Sequence, residues 1–108
     1  MDWEKATTIA SAIGGSRLAD LRIRLLRSAV SYAGIRAQWQ LSSPEERFAM
    51  NEDRTRAHDA FIEACDEMGK GMYNENEDAS WRGKLGDDRK EIGDFACYLN
   101  LILGLAAR

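Results

Sequence analysis

Three polar residues interrupt the apolar lines of this sequence and are its first candidates for chemistry. Arg54 falls on the apolar line of a predicted third helix, with Met50 and Phe61, and His58 follows it by one turn. Asp88 falls on the corresponding line at the start of a fourth helix. A buried charge without a partner is costly. The sequence therefore predicts an Arg54–Asp88 ion pair that closes one end of the core, with His58 as a third member.

The same cluster has a functional alternative. Arg54, His58 and a carboxylate would then form a pocket for a phosphate or carboxylate group of a ligand. The structural interpretation is favoured over this one, because buried polar clusters in small domains usually satisfy one another's hydrogen bonds.

Several common catalytic centres lack their residues in this sequence. His58 is the only histidine, so there is neither a zinc set nor the Glu-x-x-His pairs of a di-iron bundle. No nucleophile elbow, Walker motif or dinucleotide-binding motif is present. Cys65 and Cys97 are too few for a disulfide scaffold and fall at or near apolar helical positions. We expect both to be reduced, packed thiols.

One acidic stretch resembles a catalytic family. Residues 90–104, with Glu91 and Asp94 one helical turn apart, resemble the Glu-x-x-Asp helix of the all-alpha nucleoside triphosphate pyrophosphohydrolases, the MazG-like family. The resemblance implies that Glu91 and Asp94 hold Mg²⁺ against a triphosphate, together with an acidic motif on an earlier helix. That motif would be supplied by Glu63, Asp66 and Glu67. Mg²⁺ prefers oxygen ligands, so such a set suits it.

The same acidic residues also fit a non-catalytic interpretation. Glu63 and Asp66 project away from the apolar line of the third helix, which is typical of a solvated face. Glu91 and Asp94 lie near the start of a helix, where the helix dipole favours carboxylates. Both interpretations remain open at this point.

The charges of the two middle helices are opposite. Residues 17–40 contain five arginines and one aspartate, a net of +4, whereas residues 41–80 contain four basic and eleven acidic residues, a net of −7. We expect arginines of the second helix to face carboxylates of the third. The five arginines do not share one face and the chain has a net charge of −3, which argues against direct nucleic-acid binding.

Helices must position all of these groups, because no stretch alternates apolar and polar residues as a strand would. We predict an all-α fold, an antiparallel bundle of three long helices plus a short N-terminal one, in a single domain over residues 1–108. The short helix spans residues 2–13 and ends at Gly14-Gly15, and the second, capped by Ser16, spans residues 17–40.

The third helix has the clearest start. Ser43-Pro44-Glu45-Glu46 is a capping box with proline at the first helical position. This helix is predicted to bend near Gly69 or Gly71 and to fade over residues 74–78. A loop of about ten residues, which holds Trp81 and Leu85, then leads to a second capping box at Asp88 and Glu91.

The final helix is apolar on two sides. From Phe95 to Ala107 only Asn100 is clearly polar, and the run of 13 residues is well short of the roughly 20 that cross a bilayer. The second helix also carries two apolar rows. Because one small domain offers too few helices to cover all of these rows, we expect a homodimer. The candidate interface residues are Ile23, Leu26, Val30, Tyr98, Leu101 and Leu105.

Composition sets the remaining expectations. The 108 residues are 44% apolar and 31% charged, as in a folded domain. The N-terminus lacks the basic and apolar blocks of a secretory signal, so we expect a cytoplasmic location without membrane association. We predict a non-catalytic interaction or regulatory protein with no cofactor. It is expected to form a homodimer, and binding of another protein is compatible with this prediction. The alternative is a Mg²⁺-dependent nucleoside triphosphate pyrophosphohydrolase of MazG type.

Overall fold

The computed structural model describes the backbone of residues 1–106 and the side chains of residues 1–102. That part of the chain is helical and contains no strand, which confirms the predicted all-α class. Its five helices are α1 (Trp3–Gly14), α2 (Ala19–Gln40), α3 (Pro44–Asn74), α4 (Ser80–Leu85) and α5 (Arg89–Ala106). No helix in the described residues is long and apolar enough to cross a membrane.

Side-chain caps fix where three of the helices begin. At α3 the predicted capping box is complete, since the Ser43 hydroxyl accepts from the amide of Glu46 and the Glu46 carboxylate accepts from the amide of Ser43. At α5 the Asp88 carboxylate accepts from the amide of Glu91 at 3.0 Å. The Glu91 carboxylate lies near the Met1 amine instead of completing a second box. At α1 the cap is Asp2.

The start of α2 differs from the prediction. The helix begins at Ala19 with Leu18 at the cap position, two residues after the predicted start. The predicted cap, Ser16, is buried and donates its hydroxyl hydrogen to Glu77 at 2.6 Å, while its oxygen accepts from the Leu18 amide. The serine therefore ties the α1–α2 turn to the segment after α3, a contact that lies 61 residues away in sequence.

Part of the predicted long loop is the short helix α4. Trp81 and Leu85, four residues apart, are both buried, and the Trp81 indole donates to the Met72 sulfur at 3.2 Å. Gly86 ends the helix with a positive φ of 73°. Six residues are too few for periodicity to reveal a helix, which is why the sequence predicted a loop here.

α3 runs without interruption through the glycines where a bend was predicted. A Cβ atom on Gly71 would lie 2.7 Å from a methyl carbon of Leu21 and 2.9 Å from one of Leu18. On the other side of the helix, Gly69 is buried beside the Arg82 side chain. Both glycines therefore serve close packing against neighbouring segments, and neither breaks the helix.

The buried residues form one cluster to which all five helices contribute. The Phe61 ring of α3 lies 6.2 Å from the rings of both Tyr32 on α2 and Phe95 on α5. α2 and α3 are antiparallel, since Arg24 contacts Glu67 whereas Tyr32, later on α2, contacts Phe61, which is earlier on α3. No charged residue belongs to this buried cluster in the described part of the chain, so the ion pairs lie around it.

Candidate functional site

The structure does not form the predicted Arg54–Asp88 pair. The Arg54 guanidinium lies over the Trp39 ring, 4.4 Å from the ring centre, and Asp88 is exposed at the cap of α5. His58 points its Nδ1 atom at Asp59, 3.1 Å away, and its ring meets Tyr32 edge-on. Periodicity placed Arg54 correctly on the inner side of α3 but could not show that an aromatic face would serve as its neighbour.

The acidic residues of α3 lie on the outer sides of that helix. Asp66 accepts from Arg82 at 2.7 Å, and Glu67 lies 2.8 Å from the guanidinium of Arg24. Glu63 is exposed and lines a shallow groove with Arg24, about 270 Å³ in volume. The Arg24–Glu67 contact confirms the expectation that α2 arginines face α3 carboxylates.

The acidic residues of α5 lie in a different cluster, between α1, α2 and α5. The Met1 amine is 2.9 Å from Asp94 and 3.4 Å from Glu91. Arg36 of α2 approaches the other oxygen of Asp94 to 2.8 Å. Lys5 lies 3.7 Å from Glu91. Four cationic groups therefore surround these two carboxylates, the fourth being Lys90 at 3.3 Å from Asp94.

The five carboxylates implied by the resemblance thus fail to converge. Asp66 and Glu67 are paired with arginines on opposite sides of α3, while Glu91 and Asp94 are paired near the N-terminus. Within the described residues, no three acidic, histidine or cysteine side chains are grouped so that they could hold a metal ion. The ligand set is therefore corrected: Asp66, Glu67, Glu91 and Asp94 are engaged in separate ion pairs, and Glu63 is exposed.

Asp94 is the electrostatic centre of the cluster on α5. Burial disfavours its charge, but hydrogen bonds from the Met1 amine and Arg36 outweigh that effect and lower the pKa of Asp94 to about 2. Burial likewise disfavours the charged form of Arg36, yet its hydrogen bonds to Asp94 and Cys97 raise its pKa. Gly93 makes room for the guanidinium, because a Cβ atom there would lie 2.9 Å from the central carbon of Arg36.

Sequence reasoning missed Arg36. The signal was present, since Arg36 follows the buried residues Leu25 and Tyr32 at helical spacing, as Arg54 follows Met50 on α3. Its carboxylate partner, Asp94, was interpreted either as a metal ligand or as a carboxylate favoured by the helix dipole, and neither interpretation includes a partner on α2.

The two thiols differ in environment. Cys65 is buried among apolar side chains, and that burial raises its pKa to about 12. Such a thiol is a poor nucleophile at neutral pH. Cys97 is half-buried, with its sulfur 3.8 Å from the Arg36 guanidinium. Both are free, as predicted.

Three of the candidate dimer residues, Ile23 and Val30 on α2 and Leu101 on α5, are exposed, and we call the surface that carries them the α2–α5 face. Val30 is 60% exposed, Leu101 56% and Ile23 46%. The Asn100 amide donates to the carbonyl oxygen of Ala29 at 3.1 Å, which brings the turns that carry Val30 and Leu101 next to each other. Val30 and Leu101 therefore lie on adjacent turns of two neighbouring helices.

The other candidates on this face have different surroundings. Leu26 is half-buried and packs against the core. Tyr98 is also half-buried, and its ring meets Trp3 edge-on at 5.5 Å, so α1 covers part of it. The side chain of Leu105 lies outside the described residues. Ile23, Val30 and Leu101 consequently define the open part of the face.

Comparisons with known proteins do not add a family. No protein-family model matches the chain, and no match is found among curated proteins or solved structures.

Proposed function

We propose that this chain is a non-catalytic interaction or regulatory protein, a helical bundle that acts as a homodimer through the α2–α5 face. The observation that carries the proposal is the exposure of Val30 and Leu101 on adjacent turns of neighbouring helices. Large apolar side chains exposed on adjacent turns of packed helices are typical of protein interfaces.

The size of the face supports a reversible dimer. Its open part consists of three exposed apolar side chains, Ile23, Val30 and Leu101, on two neighbouring helices. Small interfaces of this kind are typical of weak complexes, so we expect a dimer whose population depends on concentration.

The ion pairs favour this proposal over Mg²⁺-dependent hydrolysis. A divalent ion at Glu91 and Asp94 would have to displace the Met1 amine and Arg36, both already within 3.4 Å of these carboxylates. Asp66 and Glu67 would have to leave their own arginines. Even then, the two groups of carboxylates would lie on different parts of the molecule.

Light scattering coupled to size-exclusion chromatography tests the proposal. The protomer mass is 12.1 kDa, so a dimer has about 24 kDa. We expect Val30→Glu and Leu101→Glu to return the mass to that of a monomer, because each places a carboxylate in the apolar contact. Phe48→Glu is the matched control, since Phe48 is exposed on α3, away from this face. Dimers that survive both face variants would reject this interface.

A pyrophosphate-release assay with Mg²⁺ and a panel of nucleoside triphosphates tests the other half of the proposal. We expect no release from the parent protein. Release that disappears in both Glu91→Gln and Asp94→Asn would overturn the non-catalytic assignment, provided that both variants keep their helical circular dichroism.

A further inference from the structure

α3 and α4 form the walls of a cleft of about 460 Å³, a volume within the range of small-molecule sites. Gly69 of α3 lines the cleft and is buried, and a Cβ atom there would lie 3.4 Å from the Arg82 side chain of α4. The absence of a side chain at Gly69 therefore allows α4 to pack close to α3. Trp81 and Leu85 are buried and anchor α4 in the core, so both walls belong to packed helices.

Arg82 holds the α4 wall of the cleft in place. Its Nε atom donates to the Asp66 carboxylate at 2.7 Å, and its terminal nitrogens donate to the Gly86 carbonyl oxygen at 2.8 Å and to the Asp87 carboxylate at 2.7 Å. The side chain is only 18% exposed. Because three acceptors fix the guanidinium, the cleft is formed before any ligand binds.

Lys70 supplies a charge to this cleft that no carboxylate of the described residues neutralises. It is exposed on α3 and lines the cleft. The carboxylates one helical turn before it have other partners, since Asp66 lies 2.7 Å from Arg82 and Glu67 lies 2.8 Å from Arg24. The Lys70 ammonium is therefore available to an anion that enters the cleft.

Tyr73 adds an open aromatic surface beside that cation. Its side chain is 76% exposed and lines the same cleft, one helical turn after Lys70. Gly69 and Ala79, which also line the cleft, have no polar side-chain atoms, so a flat apolar group can lie against the Tyr73 ring. Asn74, exposed at the same end, offers an amide donor in addition.

We infer that this cleft binds a small aromatic carboxylate. The Lys70 ammonium pairs with the carboxylate, and the Tyr73 ring packs against the aromatic ring of the ligand. One uncompensated cation matches one negative charge, and the Asp66 carboxylate that also lines the cleft disfavours a second. The cleft lies between α3 and α4, so this inference does not depend on the α2–α5 face or on a dimer.

NMR titration of ¹⁵N-labelled protein with phenylacetate, at pH 7 and constant ionic strength, tests this inference. We expect saturable changes in the amide chemical shifts of residues 69–82, with a Kd of about 1 mM for a ligand of about ten non-hydrogen atoms. Acetate lacks the ring and 2-phenylethanol lacks the charge, and each should bind about tenfold more weakly. Shifts that do not saturate, or that lie outside the cleft, would overturn the inference.

Two variants separate the roles of the cation and the ring. Lys70→Met should weaken phenylacetate about tenfold and leave 2-phenylethanol unchanged, whereas Tyr73→Ser should weaken both ligands. The matched controls are Lys84→Met on α4 and Phe48→Ser on α3, whose side chains are exposed outside the cleft, and both should bind as the parent does. All four side chains are exposed, so the spectra should remain those of the folded protein. Parent-like affinity for phenylacetate in Lys70→Met or in Tyr73→Ser would overturn the inference.

Phenyl phosphate tests the nature of the anion. Its second negative charge lies in the same cleft as the Asp66 carboxylate, so we expect it to bind more weakly than phenylacetate does. Phenyl phosphate that binds as tightly as phenylacetate, or more tightly, would overturn the assignment to a carboxylate.

Discussion

Gly93→Ala tests the structural account of the Asp94 cluster. The new Cβ atom would lie 2.9 Å from the central carbon of Arg36 and 3.0 Å from two of its nitrogens, so the guanidinium must move. These atoms are the end of a flexible side chain, so we expect the guanidinium to turn away and give up its 2.8 Å contact with Asp94. Breaking a fully buried ion pair costs about 3–5 kcal/mol. The side chains of both partners are nearly one fifth exposed, so we expect the loss of this pair to lower the free energy of unfolding by about 2 kcal/mol.

The new alanine also stabilises the α5 helix itself. Replacing a helical glycine with alanine stabilises a helix by about 1 kcal/mol. The net effect of Gly93→Ala is therefore a loss of about 1 kcal/mol, or roughly 4–8 °C in Tm for a chain of this size. The matched control is Gly34→Ala on α2, where a Cβ atom meets nothing within 4 Å. We expect Gly34→Ala to raise the free energy of unfolding by about 1 kcal/mol.

Urea unfolding of both variants gives the comparison. Relative to the parent, we expect the free energy of unfolding to fall in Gly93→Ala and to rise in Gly34→Ala, so that the two variants differ by about 2 kcal/mol. A double-mutant cycle with Asp94→Asn makes the comparison sharper. Asp94→Asn should lower the free energy of unfolding less in the Gly93→Ala background than in the parent, because Arg36 is already displaced there. A Gly93→Ala protein that is as stable as Gly34→Ala would refute the idea that Gly93 exists to admit the guanidinium.

Two further predictions concern acid and thiol reactivity. The pKa of Asp94 is about 2 in the folded protein against 3.8 ordinarily, so its contribution of about 2 kcal/mol is complete above about pH 5 and is lost as the pH falls through 3.8 towards 2. The stability curve of Asp94→Asn, measured by denaturant unfolding, should be flatter over that range, and an equally steep curve would contradict the assignment. In the native protein at pH 8, a thiol reagent should modify Cys97 but not Cys65, whose pKa is about 12. Mass spectrometry after digestion reads this out, and rapid modification of Cys65 would contradict its burial.

The sequence was informative where a local rule sets the structure. The Ser43 capping box uses residues three positions apart, so the start of α3 could be predicted to the residue. The exposed apolar row through Val30 was also visible, because helical periodicity assigns a face without knowing what covers it. α4 was not predictable in this way, since Trp81 and Leu85 are buried by contacts with other helices.

Partners that lie far apart in sequence were the main source of error. Arg54 was correctly placed on the inner side of α3, but which group it meets depends on how α2 lies across it, and Trp39 occupies that position. Asp94 and Arg36 are 58 residues apart, and nothing local indicates that they meet. The sequence therefore predicted for Asp94 either metal binding or a carboxylate at a helix start, whereas its oxygens lie against the Met1 amine and Arg36.

Sedimentation equilibrium over a range of concentrations measures the mass of the parent protein in solution and so tests the proposed homodimer. We expect a monomer–dimer equilibrium that approaches about 24 kDa, twice the protomer mass of 12.1 kDa, and that Leu101→Glu shifts to the monomer. A mass that stays at 12.1 kDa up to the highest concentration would contradict the proposed α2–α5 homodimer.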